Sequence, residues 1–264
     1  MSESLRSLEG RLAVVTGANR GIGKSVAEEL ARNNIIVAGI ARGEGVKEVD
    51  RMFQASDLEG FGVELDITDT DRIRGRIKDI IKTAGLPISI LCNVAGITAD
   101  GYAIGMKESW DRVIETNLTG TFRVTQAVGV TMLRAAKNEE IMDADIVTIG
   151  SIVGDVGEAT QVNYGTSKAG LVGMTKGLAV EWPEIRSMLL NPGYVDTDMT
   201  TGELSEERIA EILALTNSGI PLTPQSVAEK VREMIQVGKT GDIETFDDGL
   251  SKNLLEARAR VNLG

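Results

Sequence analysis

A tyrosine and a lysine four positions apart, Tyr164 and Lys168, are a pair whose residue types and spacing could support proton transfer. They lie in the stretch "NYGTSKAG", and this spacing places both side chains on one face of a helix, one turn apart. An ammonium group near a phenol stabilises the phenolate and lowers the tyrosine pKa. Tyr164 is therefore a candidate proton donor and acceptor near neutral pH, with a solvated helix face as the alternative.

A serine and an asparagine have properties that suit the same site. Ser151 ends the apolar run in "VTIGSIVG", and its hydroxyl can hold a carbonyl or hydroxyl oxygen of a substrate opposite Tyr164. Asn117 lies in the middle of the helical pattern "MKESWDRVIETNLTG", where asparagine is unfavourable by propensity. Asn117 either caps a break in that helix or serves a hydrogen-bond network, for example by fixing a water beside Lys168.

The composition excludes several other kinds of site. The chain of 264 residues contains no histidine and one cysteine, Cys92, within the apolar run "ISILCNVAG". Without histidine there is no Ser-His-Asp triad, no histidine metal site and no histidine to activate Cys92, so we expect no metal. A single cysteine cannot form an intrachain disulfide, which favours a reducing compartment.

Charge and hydropathy limit the partners of the chain. The net charge of −11 would repel a nucleic acid, so we expect no nucleic-acid partner. The first residues, "MSESLRSLEGR", are polar and lack the apolar segment of a signal peptide, and the apolar runs are too short to span a membrane. We therefore expect a cytoplasmic protein with no membrane partner.

Short apolar runs alternate with longer helical patterns along the chain. Strands are predicted at 12–17, 35–41, 61–66, 88–96, 145–151, 187–193 and, as a last strand, 241–249. Helices are predicted at about 22–33, 44–55, 70–84, 107–137, 162–182, 204–217 and 224–238. Near-continuous apolar strands are typical of parallel strands buried on both faces.

This alternation predicts the fold class. We expect an α/β protein with a doubly wound parallel sheet of Rossmann type and helices on both faces. No linker or repeat is evident, so residues 1–264 are interpreted as one domain, with a core at about 10–249. The tail at 250–264 fits either a helix or a mobile end. In such a sheet, ligands bind beyond the carboxyl ends of the strands.

A glycine-rich turn follows the first predicted strand, in "TGANRGIG". Glycines permit a tight turn there and let backbone N–H groups approach a pyrophosphate at the start of a helix. An ordinary glycine-rich turn is the alternative. We predict that this turn binds the phosphates of a dinucleotide through Gly17, Asn19, Arg20, Gly21, Ile22 and Gly23.

The ends of the second and third strands indicate which cofactor binds. Arg42 stands where an enzyme using NAD commonly places an acidic residue, and a guanidinium suits a 2′-phosphate instead. Arg20 could join it, although two exposed arginines are the alternative. Asp66, followed by Ile67, could accept a hydrogen bond from the adenine amino group or cap a surface turn. We therefore predict NADP(H) as the cofactor.

The ordered motifs resemble those of the short-chain dehydrogenase/reductase family. "TGANRGIG", "NVAG", Asn117, Ser151, the Tyr164 and Lys168 pair, and "NPGYVDTDM" follow one another as in that family, over roughly 10–249. Within it the sequence looks most like the 3-oxoacyl-[acyl-carrier-protein] reductases. The resemblance implies reversible hydride transfer between a nicotinamide cofactor and a small-molecule ketone or secondary alcohol.

The resemblance also implies roles for the site residues. Tyr164 would be the acid and base, Ser151 would orient the reacting oxygen, and Lys168 would bind the nicotinamide ribose while tuning Tyr164. Asn117 would hold a water of the proton relay. The nicotinamide end of the cofactor would contact Pro192, Gly193, Val195 and Thr197. The adenosine side would be lined by Asn93, Ala95 and Gly96, which would also brace the sheet.

Three functions remain open from the sequence. The first is an NADP(H)-dependent reductase of a ketone whose specificity is set by a loop at about 194–221. The second is a 3-oxoacyl-[acyl-carrier-protein] reductase. The region where such a reductase expects basic residues has Arg134 and Lys137 beside Glu139, Glu140 and Asp143, and like charges weaken the encounter with an acidic carrier. The third is a non-catalytic scaffold or sensor that binds the cofactor.

Small residues on the helix of Tyr164 indicate self-association. Ala169, Gly173 and Gly177 recur every four residues and would let a neighbouring helix pack closely. Packing on the sheet inside the chain is the alternative. Together with the family resemblance, this row predicts a homo-oligomer, either a tetramer or a dimer.

Overall fold

A computed structural model describes residues 5–201 and 205–261, which surround one parallel sheet of seven strands. The strands are β1 (Leu12–Thr16), β2 (Ile36–Ala41), β3 (Gly60–Glu64), β4 (Ile88–Asn93), β5 (Asp145–Ile149), β6 (Arg186–Pro192) and β7 (Ile243–Phe246). They are ordered β3-β2-β1-β4-β5-β6-β7, and every neighbouring pair is parallel. The winding reverses between β1 and β4, where a crevice opens at the carboxyl ends.

Helices connect the strands on both sides of the sheet. They are α1 (Gly21–Arg32), α2 (Gly45–Ala55), α3 (Thr70–Ala84), α4 (Glu108–Ile114), α5 (Thr121–Lys137), α6 (Val153–Val156), α7 (Val162–Glu181), α8 (Asp198–Thr201), α9 (Glu206–Leu213), α10 (Pro224–Val237) and α11 (Leu250–Val261). None of the helices in the described ranges is long and apolar enough to cross a membrane. Of the two possibilities for the tail at 250–264, the structure has the helix, α11, as far as the tail is described.

Strand β1 shows why the sheet is covered on both faces. Leu12 and Val14 enter one buried cluster with side chains of α3 and α5, while Ala13 and Val15 enter a second with side chains of α1 and α10. All four residues are fully buried. A strand buried on both faces must be apolar at every position, so the continuous apolar runs indicated the architecture correctly, and the predicted fold class is confirmed.

The predicted helix at 107–137 differs from the structure at its centre. A π-helical turn at Glu115–Gly120 separates α4 from α5. Asn117 lies in this turn, and its side chain forms hydrogen bonds with the backbone of Ile97 on a neighbouring segment. Single π turns of this kind occur frequently at functional sites.

Other predicted boundaries were too generous, and the last strand, predicted at 241–249, is the four-residue β7. β4 ends at Asn93 rather than at residue 96, because the backbone N–H groups of Val94 and Ala95 donate to the hydroxyl of Thr16 at 3.0 and 3.1 Å. The predicted helix at 204–217 is the shorter α9, for which the Ser205 side chain accepts from the N–H of Arg208; residue 204 itself lies outside the described residues. The four-residue helices α6 and α8 are too short for a sequence period to reveal.

Candidate active site

A cleft of about 400 Å³ opens at the carboxyl ends of the central strands. Among its walls are all but two of the residues predicted for the site. Those that line it are Gly17, Asn19, Arg20, Gly21, Ile22, Gly23, Arg42, Asp66, Ile67, Ala95, Gly96, Ser151, Tyr164, Lys168, Pro192, Gly193, Val195 and Thr197. The two exceptions are Asn93 and Asn117.

The glycine turn between β1 and α1 forms one side of the cleft. Gly17 and Gly21 have φ angles of +69° and +53°, which favour glycine. A Cβ at Gly17 would lie 3.0 Å from the Cα of Ala95, and one at Gly23 would lie 2.1 Å from the carbonyl oxygen of Gly17. The backbone is therefore packed so closely that side chains at these positions would not fit.

The start of α1 suits an anion. Its N-cap residue, Arg20, is extended and makes no side-chain capping hydrogen bond. The first N–H groups of a helix have no partner within the helix, and the helix dipole adds a partial positive charge there. Since this helix start and the glycine turn line the same cleft, the backbone fits the pyrophosphate of a dinucleotide.

Ser151, Tyr164 and Lys168 meet at the other side of the cleft. Ser151 follows β5, and its hydroxyl is hydrogen-bonded with the phenol of Tyr164, which lies near the start of α7. The ammonium group of Lys168, one turn along α7, donates to the carbonyl oxygen of Ile149 at 2.8 Å. That ammonium nitrogen lies 5.6 Å from the centre of the Tyr164 ring.

Burial controls the protonation of these groups in the protein alone. It raises the pKa of Tyr164 to about 12, an effect that the hydrogen bond with Ser151 opposes and the charge of Asp100 reinforces. It lowers the pKa of Lys168 to about 8, because a buried ammonium loses its hydration. Lys168 is not among the groups that shift this pKa in the protein alone, where its ammonium is directed to a carbonyl, and its tuning of Tyr164 stays a prediction. A neutral phenol is the proton-donating form.

Asn117 lies behind the cleft and is almost completely buried. Its Oδ1 accepts from the N–H of Ile97, and its Nδ2 donates to the carbonyl oxygen of Ile97, both at 2.8 Å. Nδ2 also donates to the hydroxyl of Ser167 on α7 at 3.1 Å. Of the two roles predicted for Asn117, its side chain takes the network role, and it holds Ile97 on the cleft wall. A contact with a relay water remains a prediction.

Asn93 lies inside the sheet instead of on the adenosine side of the cleft. Its Nδ2 donates to the hydroxyls of Thr125 on α5 and Thr148 on β5, at 2.8 and 3.3 Å. The side chain therefore joins β4 to the helix and the strand beside it. This bracing role was part of the prediction, whereas its neighbours Ala95 and Gly96 line the cleft, and their contact with the adenosine stays a prediction.

The far end of the cleft carries an ion pair that the sequence did not indicate. Arg42 and Asp66 follow β2 and β3, and a guanidinium nitrogen of Arg42 lies 3.2 Å from a carboxylate oxygen of Asp66. Burial alone would raise the pKa of Asp66, but hydrogen bonds from Thr68 and from Arg42 outweigh it and lower that pKa. Asp66 is thus a carboxylate at neutral pH, and it holds Arg42 on the wall.

Several cleft residues had no signal in the sequence. Apolar side chains of Ile40 and Leu65 line the cleft between Arg42 and the glycine turn, yet both belong to ordinary apolar runs. Thr116 lies in the π turn, and Met199 and Thr200 lie in α8, an element too short to be predicted. Their contribution to the site depends on tertiary placement.

A comparison with protein families identifies the class of protein that this fold and cleft define. A sequence model of the short chain dehydrogenases matches residues 11–208, most of the chain. The chain belongs to the short-chain dehydrogenase/reductase family and is an oxidoreductase of that family.

Individual relatives show which members the chain is similar to. It is 39% identical over 230 residues to proteins named 3-oxoacyl-[acyl-carrier-protein] reductase FabG from Salmonella typhimurium and from Escherichia coli, covering 85% of this chain and 89% of each relative. The protein of the same name from Pseudomonas aeruginosa is 37% identical over 236 residues, with coverages of 87% and 90%.

A solved structure agrees with the architecture. The crystal structure of an Agrobacterium tumefaciens protein named a "putative gluconate dehydrogenase" superposes with a TM-score of 0.84 at 27% identity, over 93% of this chain and 97% of the other.

Proposed function

We propose that the chain is an NADP(H)-dependent reductase that converts a ketone to a secondary alcohol by hydride transfer, with Tyr164 as the proton donor. The observation that carries this proposal is the meeting of Ser151, Tyr164 and Lys168 in the cleft that also holds the glycine turn of α1. A proton donor beside a dinucleotide cradle is what carbonyl reduction requires of the protein.

The chain supplies fitting groups for each part of the cofactor. Backbone N–H groups of the glycine turn would hold the pyrophosphate, and Lys168 would donate to ribose hydroxyls. Within the described residues no carboxylate pairs with the Lys168 ammonium, which leaves its remaining donors for a ligand. The bound nicotinamide supplies or takes the hydride.

The remaining chemistry belongs to the protein. Ser151 would hold the substrate oxygen by a hydrogen bond, and Tyr164 would give that oxygen its proton as the alcohol forms. The raised pKa of about 12 keeps Tyr164 protonated, which suits the direction of reduction. In the reverse direction the phenolate of Tyr164 would have to accept a proton from the alcohol, so oxidation should gain from alkaline pH.

The preference for NADP(H) rests on Arg42 and Arg20, which both line the cleft. Arg42 is 66% exposed, so its guanidinium can turn from Asp66 to a 2′-phosphate at small cost. A guanidinium binds phosphate with charge-assisted hydrogen bonds but cannot accept one from a ribose hydroxyl.

The direct test is consumption of NADPH, followed by absorbance, with a panel of small diketones, sugars and 3-oxoacyl thioesters. We expect turnover with at least one ketone class and a lower rate with NADH. Tight NADPH binding without turnover of any panel member would instead favour the scaffold or sensor function.

A second candidate is a 3-oxoacyl-[acyl-carrier-protein] reductase, which the names of the relatives favour. Two basic residues of α5, Arg134 and Lys137, are exposed, but Glu139 and Glu140 are exposed directly after them, and Glu181 is exposed at the end of α7. The chain as a whole carries a net charge of −11. An acidic carrier protein would therefore meet a surface that offers it little attraction.

Two forms of one substrate separate these candidates. A 3-oxoacyl group would be presented on a small thiol and on acyl-carrier protein, and kcat/KM would be measured for each. A marked preference for the carrier-linked form would establish the second candidate. Equal or better use of the small thioester would support a carrier-independent ketone reductase.

We also propose that the enzyme is a homo-oligomer that associates through α7. Ala169, Gly173 and Gly177 are exposed on this helix, and a Cβ at either glycine would meet no described atom within 4 Å. The alternative, packing of this row on the chain's own sheet, is not what the structure has. Light scattering at micromolar concentration should give a dimer or tetramer, and a monomer would contradict the proposal. Gly173→Trp should shift the mass towards the monomer.

A further inference from the structure

Asn191 is a buried amide beside the catalytic serine. It lies on β6 directly before Pro192 and is 1% exposed. Its Oδ1 accepts from the backbone N–H of Ser151, and its Nδ2 donates to a carboxylate oxygen of Asp155, both at 2.9 Å. Because a backbone N–H can only donate, the oxygen of the amide must face Ser151 and the NH₂ group must face Asp155.

The end of β5 is shaped around this amide. A Cβ at Gly150 would lie 2.0 Å from the Oδ1 of Asn191, a distance that no side chain tolerates. Glycine at position 150 is therefore required for the amide to reach the Ser151 N–H. The backbone pairing with β6 also continues past the strand, since the N–H of Gly150 donates to Leu190 at 2.8 Å and that of Ile152 to Pro192 at 3.3 Å.

The contact with Asp155 holds α6, the short helix that follows Ser151. Four residues form α6, too few for such a helix to be stable alone. On its other side α6 packs tightly on α7, because a Cβ at Gly154 would lie 2.8 Å from the backbone nitrogen of Ala169 and 3.0 Å from the carbonyl carbon of Lys168. Ser151 and α6 are thus fixed between Asn191 and the helix of Tyr164 and Lys168.

We propose that Asn191 is a positioning residue that sets the place of Ser151 relative to Tyr164. It acts through two hydrogen bonds, one to the backbone of Ser151 and one to α6, and it does not touch the substrate. The inference rests on the proposed function only in taking Ser151 to orient the reacting oxygen. It predicts that turnover depends on which of the side chains of Asn191 and Asp155 donates the hydrogen bond and which accepts it, more than on their volumes.

Variants at positions 191 and 155 test the pattern. Asn191→Asp keeps an acceptor for the Ser151 N–H but sets a second carboxylate against Asp155, so kcat should fall roughly ten- to hundredfold at neutral pH. Asp155→Asn alone should cost little, because the new amide can present its oxygen to Asn191. In the double variant, Asn191→Asp with Asp155→Asn, the amide at position 155 can donate to the carboxylate at position 191, and kcat should return to within a few-fold of wild type.

The pH profile separates positioning from a general loss of structure. In Asn191→Asp the two adjacent carboxylates can share a proton at acidic pH, so the loss in kcat should shrink as the pH falls. The double variant should lack this recovery. Ser187→Ala is the matched control, because Ser187 is on the same strand, is 1% exposed and has a hydroxyl with no hydrogen-bond partner among the described residues. It should keep wild-type rates.

Hydrogen–deuterium exchange tests the role of Asn191 without any substrate. Backbone amides at 150–157 should exchange at least roughly tenfold faster in Asn191→Asp and at wild-type rates in the double variant. Should the single variant fail to fold, Asn191→Ala, which adds no charge, replaces it in both measurements. Unchanged exchange and kcat in Asn191→Asp, or a double variant as impaired as Asn191→Asp, would overturn the role of Asn191. A wild-type protein that reduces no ketone would count against the proposed function alone, since exchange would still report on Asn191.

Discussion

The two ends of the parallel sheet each carry an arginine–aspartate pair, and the two pairs differ in burial. At the amino ends of the strands, Arg11 and Asp145 lie 2.6 Å apart with side chains 11% and 0% exposed. At the carboxyl ends, Arg42 and Asp66 lie 3.2 Å apart with side chains 66% and 35% exposed. The buried pair has only the protein as its partner, whereas the exposed pair lines a cleft and can exchange one partner for a ligand.

The buried charges at the amino ends of the strands, on Arg11, Asp145 and Arg186, form ion pairs with one another. Asp145 is contacted by Arg186 as well as by Arg11, so one carboxylate joins the strands β5 and β6 to the residue before β1. Arg11 also donates to the hydroxyl and the carbonyl oxygen of Ser89 at 3.1 and 2.9 Å, which adds β4. Burial raises the pKa of Asp145, and the two guanidinium groups oppose that rise.

At the carboxyl ends of the strands, one buried charge has no oppositely charged partner among the described residues. Lys168 is 4% exposed and, among the described residues, has no carboxylate partner. Burial lowers its pKa to about 8 for that reason. One end of the sheet therefore uses buried charge to fasten strands, and the other maintains a buried charge without a carboxylate partner among the described residues, as functional sites frequently do.

The largest effect that separates the two ends is expected from Tyr164→Phe. The variant keeps the ring but loses the proton donor, so turnover should fall about 10²–10⁴-fold. Cofactor affinity, measured by NADPH fluorescence, and the unfolding midpoint should stay near the wild-type values. Near-wild-type turnover in this variant would remove Tyr164 from the mechanism, and with it the functional half of the comparison.

The opposite result is expected from Asp145→Ala at the amino ends. Removing the carboxylate leaves Arg11 and Arg186 buried without their partner, which should cost about 3–5 kcal/mol in the free energy of unfolding. Urea unfolding would measure the loss, and kcat of the folded fraction should be retained. Asp143→Ala is the control, because Asp143 is 38% exposed and 3.6 Å from Arg6, and such pairs contribute about 0–1 kcal/mol.

Lys168→Met should lower activity and raise stability. A drop of the lysine pKa from 10.5 to about 8 means that, at neutral pH, the folded state bears a desolvation cost of up to about 3 kcal/mol. Methionine would remove that cost and, with it, the donor to ribose hydroxyls. The variant should therefore unfold at higher urea concentration at pH 7 than the wild type.

The effect of Lys168→Met on the free energy of unfolding should depend on pH. Between about pH 8 and 10.5 the folded lysine releases its proton before the unfolded one does, so the wild type gains stability as the pH rises. The advantage of Lys168→Met should shrink over that range. Lys176→Met, an exposed lysine on the same helix, should show neither effect. A Lys168→Met variant less stable than the wild type at neutral pH would contradict the comparison.

Much of this architecture could be predicted from local sequence patterns. The apolar runs located the first six strands because parallel strands covered on both faces are apolar, and the glycine turn follows from the close approach of Gly17 and Gly23. The Tyr164 and Lys168 pair could be predicted because a helix converts a spacing of four into one face. Each of these features depends on residues close together in sequence.

Features that depend on distant residues could not be predicted. A hydrogen-bond network was one of the two roles predicted for Asn117, but its partner, the backbone of Ile97 twenty positions away, could not be predicted. The direction of the Tyr164 pKa shift depends on burial and on where the Lys168 ammonium is directed, which spacing does not specify. Asn191 begins the motif "NPGYVDTDM", yet its contact with Ser151 spans forty positions.

Arg42→Asp should produce the smallest of these effects, because it changes an exposed charge. A charge-assisted hydrogen bond to phosphate contributes about 1.5–3 kcal/mol, so kcat/KM for NADPH should fall roughly ten- to hundredfold. The new carboxylate would repel a 2′-phosphate and accept hydrogen bonds from the ribose hydroxyls of NADH, so the preference should move towards NADH.

Arg51→Asp is the matched control, because Arg51 is 63% exposed on α2, pairs with Glu48 and lies outside the cleft. We would measure kcat/KM with both cofactors, and the free energy of unfolding should change little in either variant, unlike in Asp145→Ala. Equal use of both cofactors by the wild type, or no change on substitution, would mean that the exposed pair is only a surface ion pair.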